Sequence, residues 1–214
     1  MRVYHYLKAE HGLDDIARKR LKISRLSDLN DPFELLSTEM RNREWRKLFN
    51  ELKNDISEKF GVLCFSRNWH NPLLWSHYAD KHKGMCLGFD VPRSYLMEMT
   101  YSGRRLLMSI ENEMKKFKLD EEFMKKMLST KYKDWKYEDE VRLFLNLEEQ
   151  DLETSHYFKE FSEEIALKQI ILGQRCEFTK TEVEKRLSSY GKDVQVIPAR
   201  LAFGSFRVVR DKSK

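Results

Sequence analysis

The residues best suited to chemistry gather in the stretch KYKDWKYEDEVRLFLNL, residues 131–147. Its end reads as a strand, because Val141, Leu143, Leu145 and Leu147 alternate with Arg142, Phe144 and Asn146 and alternation sends successive side chains to opposite faces. If the strand already runs at Glu138, then Glu138, Glu140 and Arg142 share one face, opposite Asp139. Two glutamates and an arginine on one sheet face, directly after Trp135 and Tyr137, are a pattern to be explained. The plainer use is an edge strand whose glutamates pair with Arg142 and nearby lysines and so discourage sheet-to-sheet association. Glutamate is a poor strand former and exposed ion pairs contribute little, so the pattern asks for a further reason.

Other candidates are weaker. His5 sits in a strand-like run between Tyr4 and Tyr6, facing opposite to both, where a lone histidine is more often structural. Ser66 closes the apolar run GVLCFS, and a small polar residue there commonly bonds the turning backbone. No GxSxG elbow accompanies it. His77 and His82 lie five apart, which does not place them on one helical face. With His70 reachable only through a loop and no acidic cluster nearby, no metal site is expected. Gly84 and Gly88 do not have phosphate-loop spacing. The three cysteines, Cys64, Cys86 and Cys176, form no CxxC pair and read as small buried hydrophobes.

These residues need a scaffold, and 214 residues with 41% hydrophobic content can supply one core. The net charge of +5, from 40 basic and 35 acidic residues, permits an anionic ligand or nucleic acid without demanding either. No apolar leader or membrane-length run is visible, so a reducing, cytoplasmic setting and no membrane partner are expected.

Strands are expected over residues 3–7, 21–25, 61–66, 85–91, 169–173 and, as one or two, 194–209. Helices are expected over 13–20, about 39–59, about 72–83, 106–130 and 179–190. Trp45, Leu48, Phe49, Leu52 and Ile56 give the second helix its apolar stripe. Asn71 is a good cap for the third, Pro72 a good first residue and Gly84 a stop, with Trp75 and Tyr78 on one face. NDPFE, residues 30–34, is a turn. The expectation is one α+β domain over 1–214, with a central mixed or antiparallel sheet flanked by helices and 106–130 as a helical excursion.

VYHYLK, SDLNDPFE, LCFSRNWHNPLLWSHYADKHKGMCLGFDV and KYKDWKYEDEVRLFLN occur in the order found in a bacterial family known as domain of unknown function 2971, which the sequence resembles over most of its length. More remotely, an early strand with His, a strand ending in Ser, an aromatic helix and a late strand with Glu resembles the ADP-ribosyltransferase fold. That resemblance implies an NAD-consuming enzyme, a transferase or NAD glycohydrolase, of the kind found among bacterial toxins and phage-defence effectors. NAD would be its substrate and a protein or nucleic acid its acceptor, with no metal. It implies Glu140 as catalytic carboxylate, His5 on the NAD ribose, Ser66 or Tyr78 beside nicotinamide, and Glu138 toward the acceptor. Tyr78 or Trp75 would sandwich the ring, and Arg67 or Arg142 would meet the pyrophosphate. In place of the S-T-S triplet of that fold the chain has Ser66–Arg67–Asn68. The alternative is a non-catalytic nucleotide- or RNA-binding module that stacks bases on Trp69, Trp75 and His77 beside Arg67.

Overall fold

A computed structural model describes residues 1–34, 37, 43–106, 121–187, 190 and 193–213, without the side chain of Trp45. In chain order the elements are β1 (Arg2–Leu7), α1 (Ala9–Arg18), β2 (Arg20–Arg25), α2 (Arg43–Lys59), β3 (Phe60–Ser66) and α3 (Pro72–Tyr78). Then follow β4 (Met85–Asp90), β5 (Met97–Glu98), β6 (Thr100–Ser102), α4 (Glu121–Ser129), β7 (Thr130–Tyr132) and β8 (Glu140–Asn146). Last come β9 (Tyr157–Glu160), β10 (Ala166–Leu172), α5 (Lys180–Arg186), β11 (Gln195–Leu201) and β12 (Val208–Arg210).

Ten of the strands form one sheet, ordered β12-β11-β10-β4-β1-β3-β2-β9, with β8 on β3 and β5 on β8. The β10–β11 pair is parallel and the other pairs of this sheet are antiparallel, so the expected mixed sheet is present. β6 and β7 make a separate parallel pair. β8 runs along the whole of one edge of β3, from Phe60↔Asn146 to Ser66↔Glu140. The other edge of β3 is shared: β2 pairs at Gly61 and Val62, and β1 only at Ser66. Between them lies a seam at Cys64, where the imidazole Nδ1 of His5 meets the Cys64 carbonyl at 2.9 Å in place of a strand.

Alternation then decides what each face carries. One face presents Val3, Phe65, Leu87, Phe89, Val141 and Ile170 to α1 and α5, whose Leu13, Ile16 and Val183 complete the main core with Leu187, just beyond α5. On the opposite face two smaller clusters form. Cys86, Ile171, Ile197, Ala199 and Val208 pack under Trp69, Trp75 and Ala79, while Val62 packs with Leu26, with Phe49 of α2 and with Met127 of α4. Between these clusters the same face carries Tyr4, Tyr6, Cys64, Ser66, Glu140 and Arg142, and a cavity opens there.

Several boundaries differ from expectation. α3 ends at Tyr78, not 83, because Asp80, Lys81 and His82 take left-handed φ of 43°, 54° and 70°. That turn lets the Gly84 N–H donate to Ala79 O at 2.8 Å, and a Cβ at Gly84 would stand 2.2 Å from the Leu7 carbonyl. The glycine therefore permits close approach of β1 as well as a stop. Asn71 caps α3 as expected, its side chain accepting from Leu73 N at 2.9 Å. α1 begins at Ala9 and β8 at Glu140, and β5, β6, β7 and β9 were not anticipated. The expected helices at 39–42 and 107–120 and the stop at Gly191 lie outside the described residues.

Candidate active site

The cavity has a volume of about 280 Å³ and is lined by residues from β1, β3 and β8, by Tyr78 of α3, by Lys131 of β7 and by the loop after β2. Glu138 does not lie on the strand. It ends a 3-10 turn, Lys133–Glu138, and Asp139 at φ 47° reverses the backbone before β8 begins. The turn nonetheless returns Glu138 to the side of Glu140, and both carboxylates receive the ammonium of Lys131, at 2.5 and 3.0 Å.

Arg142 completes the group. Its Nε donates to Glu140 Oε1 at 2.8 Å and its Nη2 to Glu140 Oε2 at 3.2 Å. The same guanidinium forks onto Glu34, with Nη2 to Oε2 at 3.1 Å and Nη1 on Oε1. Glu34 is delivered by the NDPFE turn, in which Asp31 Oδ1 accepts from Phe33 N at 2.9 Å and Asp31 O from Glu34 N at 3.0 Å. Lys131 also sits 4.9 Å from the centroid of the Trp135 ring. Glu34, Lys131, Glu138, Glu140 and Arg142 are all 5% exposed or less, so these charges interact with little screening by water.

Three carboxylates face two cations here, and the imbalance falls on Glu138. Burial would raise the Glu140 carboxyl, but Arg142 and Lys131 outweigh it and hold it down at about 2. Burial wins at Glu138, whose carboxyl is pushed up, aided by the Glu140 charge, even though Lys131 opposes it. Burial and the neighbouring Glu138 keep the proton on Tyr78 far above the usual phenol range, so its hydroxyl donates to Glu138 Oε1 while accepting from Asn30 Nδ2 at 2.7 Å. The Tyr101 hydroxyl accepts from the backbone N–H of Glu140 at 2.8 Å and fixes the start of β8.

His5 lines the same cavity, but from the seam. Alternation puts it on the face opposite Tyr4, Ser66 and Glu140, with its ring against Phe65 at 5.8 Å. Burial lowers its pKa, the Cys64 carbonyl opposing that shift. A carbonyl partner requires the proton on Nδ1, which leaves Nε2 as an acceptor in the neutral ring. Ser66 faces the cavity, yet its hydroxyl donates to Asn68 O at 3.0 Å and accepts from Asn68 N at 3.1 Å, a strand-end bond of the ordinary kind.

The geometry corrects four expected contacts. Trp75 is fully buried beneath α3, its indole N–H donating to Trp69 O at 2.7 Å, so it cannot sandwich a ligand ring. Trp69 is 8% exposed, and so the Trp69–Trp75 stacking surface for bases does not exist either. Arg142 is 1% exposed and filled by two carboxylates, which removes it from a pyrophosphate. Arg67 is outside the cavity, bonded to Asp139 at 2.5 and 2.9 Å and facing Glu98 at 3.5 Å. Among the described residues, no three His, Cys, Asp or Glu side chains are grouped as a metal would need.

Glu34, Asn30, Tyr101 and Lys131 were not singled out from sequence. One signal did point to Lys131: two glutamates beside a single arginine leave an acid in excess, and a buried pair of acids calls for a second cation. Residues 74–143, from Leu74 of α3 to Leu143 of β8, match the model of a family described as Protein of unknown function (DUF2971). The matched segment includes Tyr78, Lys131, Glu138, Glu140 and Arg142, and the matched family is the one that the sequence resembles. No curated protein and no solved structure matches the chain.

Proposed function

We propose that this cavity cleaves the nicotinamide–ribose bond of NAD and passes the ADP-ribosyl group to an acceptor or to water. The observation that carries the reading is the pair of buried carboxylates on one wall of the cavity, both bonded to Lys131, with the pKa of Glu140 held down and that of Glu138 raised. Two acids separated in this way suit two different tasks. In the reaction the C1′–N bond breaks and its electron pair leaves with neutral nicotinamide, while positive charge builds on the ribose as in glycosidases. Glu140, ionised at any physiological pH, supplies a preorganised negative potential to that charge. Glu138, in its unprotonated form, takes the proton of the acceptor as its oxygen or nitrogen bonds to C1′. Tyr78 orients Glu138, and His5 Nε2 offers an acceptor for a ribose hydroxyl.

The test is nicotinamide release from NAD by the wild type, Glu138→Gln and Glu140→Gln, each with a thermal melt. Loss of either carboxylate should lower release by about 100- to 1000-fold. The melts separate loss of a role in the reaction from loss of the fold: a Glu138→Gln variant that melts as the wild type does and releases no nicotinamide supports the role. Equal release from wild type and Glu138→Gln would reject its role. No release from the wild type with any acceptor would reject the enzymatic reading and leave a nucleotide-binding module.

A further inference from the structure

Far from the cavity, at the opposite edge of the sheet, β11 and β12 form a hairpin whose tip is Phe203–Gly204–Ser205–Phe206. The Ala202 N–H donates to Arg207 O at 2.9 Å and closes the loop. Phe203 is 94% exposed and Phe206 is 99% exposed. A phenylalanine buries a large apolar area when it has a partner, and two fully solvated rings on one tip mark an interaction surface more than a stray surface residue. The hairpin is firmly footed: Ala199 and Val208 at its base belong to the buried cluster under Trp75, and His70 bonds both backbone groups of Val208, at 2.8 and 2.7 Å.

The charge around the rings is of one sign. Arg200 and Arg207 flank the tip, Arg210 lies farther down opposite Ala199, and residues 194–210 contain no Asp or Glu. The Arg200 guanidinium lies over the Phe203 ring, 4.4 Å from its centroid, covering one side. We propose that this Arg-flanked Phe203–Phe206 hairpin is a docking site for single-stranded nucleic acid, with bases stacked on the phenylalanines and phosphates on the arginines. A base on the uncovered side of Phe203 would extend the guanidinium–ring stack; Arg200 Nη1 donates to Leu201 O at 2.9 Å, and the remaining N–H groups of the guanidinium would meet phosphate. The same stack disfavours insertion into a bilayer, since a ring that sinks into the acyl region would carry the Arg200 charge with it. The site is independent of NAD cleavage.

Fluorescence anisotropy with a short labelled oligouridine, on the full chain, tests the proposal. The wild type should bind with an affinity that falls steeply as salt rises. Phe203→Ala and Phe206→Ala should each weaken binding by about tenfold or more, from the lost stacking, with unchanged melting because both rings are solvated. Arg200→Gln should weaken binding and flatten the salt dependence. The proposal falls if the wild type does not bind oligouridine, or if the double phenylalanine variant binds as well as the wild type. It also falls if anionic vesicles, and not oligouridine, are the surface that the double variant loses.

Discussion

Glu140 and Asp15 are both buried carboxylates, at 4% and 6% exposure, and they behave in opposite ways. Asp15, on α1, is pushed up to about 7, chiefly by burial and then by Asp14, with the Arg20 charge too weak to offset them. Among the described residues, no cation is hydrogen-bonded to it. Glu140 is more deeply enclosed and yet is held at about 2, because Arg142 and Lys131 bond to its oxygens. Burial with a like charge nearby therefore raises a carboxylate in this protein, and Glu140 stays low because two cations are bonded to it.

Removing the cation should have the largest effect. Arg142→Met leaves Glu34 and Glu140 buried without a guanidinium, and breaking such a group typically costs about 3–5 kcal/mol. Urea denaturation would show the loss, and a change under about 1 kcal/mol would mean the carboxylates find water instead.

The opposite sign is expected at the other site. The folded-state pKa of Asp15 is raised from 3.8 to about 7, so its penalty is absent below pH ~4 and grows as pH rises toward 7. Asp15→Asn should stabilise the protein at pH 8 by on the order of 2 kcal/mol and leave it unchanged at pH ~3.5. Equal melting of the two proteins at both pH values would show that Asp15 is solvated. For Glu140 the linkage runs the other way: its pKa is depressed, so its contribution is present above the ordinary glutamate pKa and is lost as pH falls toward 2.

The smallest effect is expected one residue from Glu140. Asp139 pairs with Arg67 at 2.5 Å, but the two side chains are 43% and 33% exposed. Asp139→Asn should shift stability by less than about 1 kcal/mol and leave nicotinamide release unchanged, since Asn tolerates the left-handed φ of 47° well. A large loss of either would mean that the contrast between neighbouring residues is false.

Much of the scaffold could be read along the chain. The GVLCFS run, the Asn71–Pro72 start of α3 and the alternating VRLFLN strand are local signals, and each element formed close to its expected place. Glu138 and Glu140 also converge, though through a 3-10 turn with Asp139 left-handed, which the period-two pattern could not reveal. Glu34 and Lys131 escaped because their role depends on where distant elements meet: one comes from a turn 108 residues before Arg142, the other from a short strand in a charged stretch. β9 escaped because YFKE shows too few residues to establish a period. The resemblance puts Trp75 against a ligand ring, and the sequence cannot correct it, because an inward helical face looks the same whether it meets a cavity or a core.

The seam in β3 has a dynamic consequence. Most of the sheet is closed by continuous ladders, but β1 and β2 meet the same edge of β3 at separate points, and one imidazole spans the interval. Opening there breaks a side-chain bond and leaves the β3–β8 ladder whole. Amides beside the seam should accordingly exchange with deuterium through local openings, ahead of those buried between β3 and β8. The floor of the cavity can thus open locally without unfolding the β3–β8 ladder.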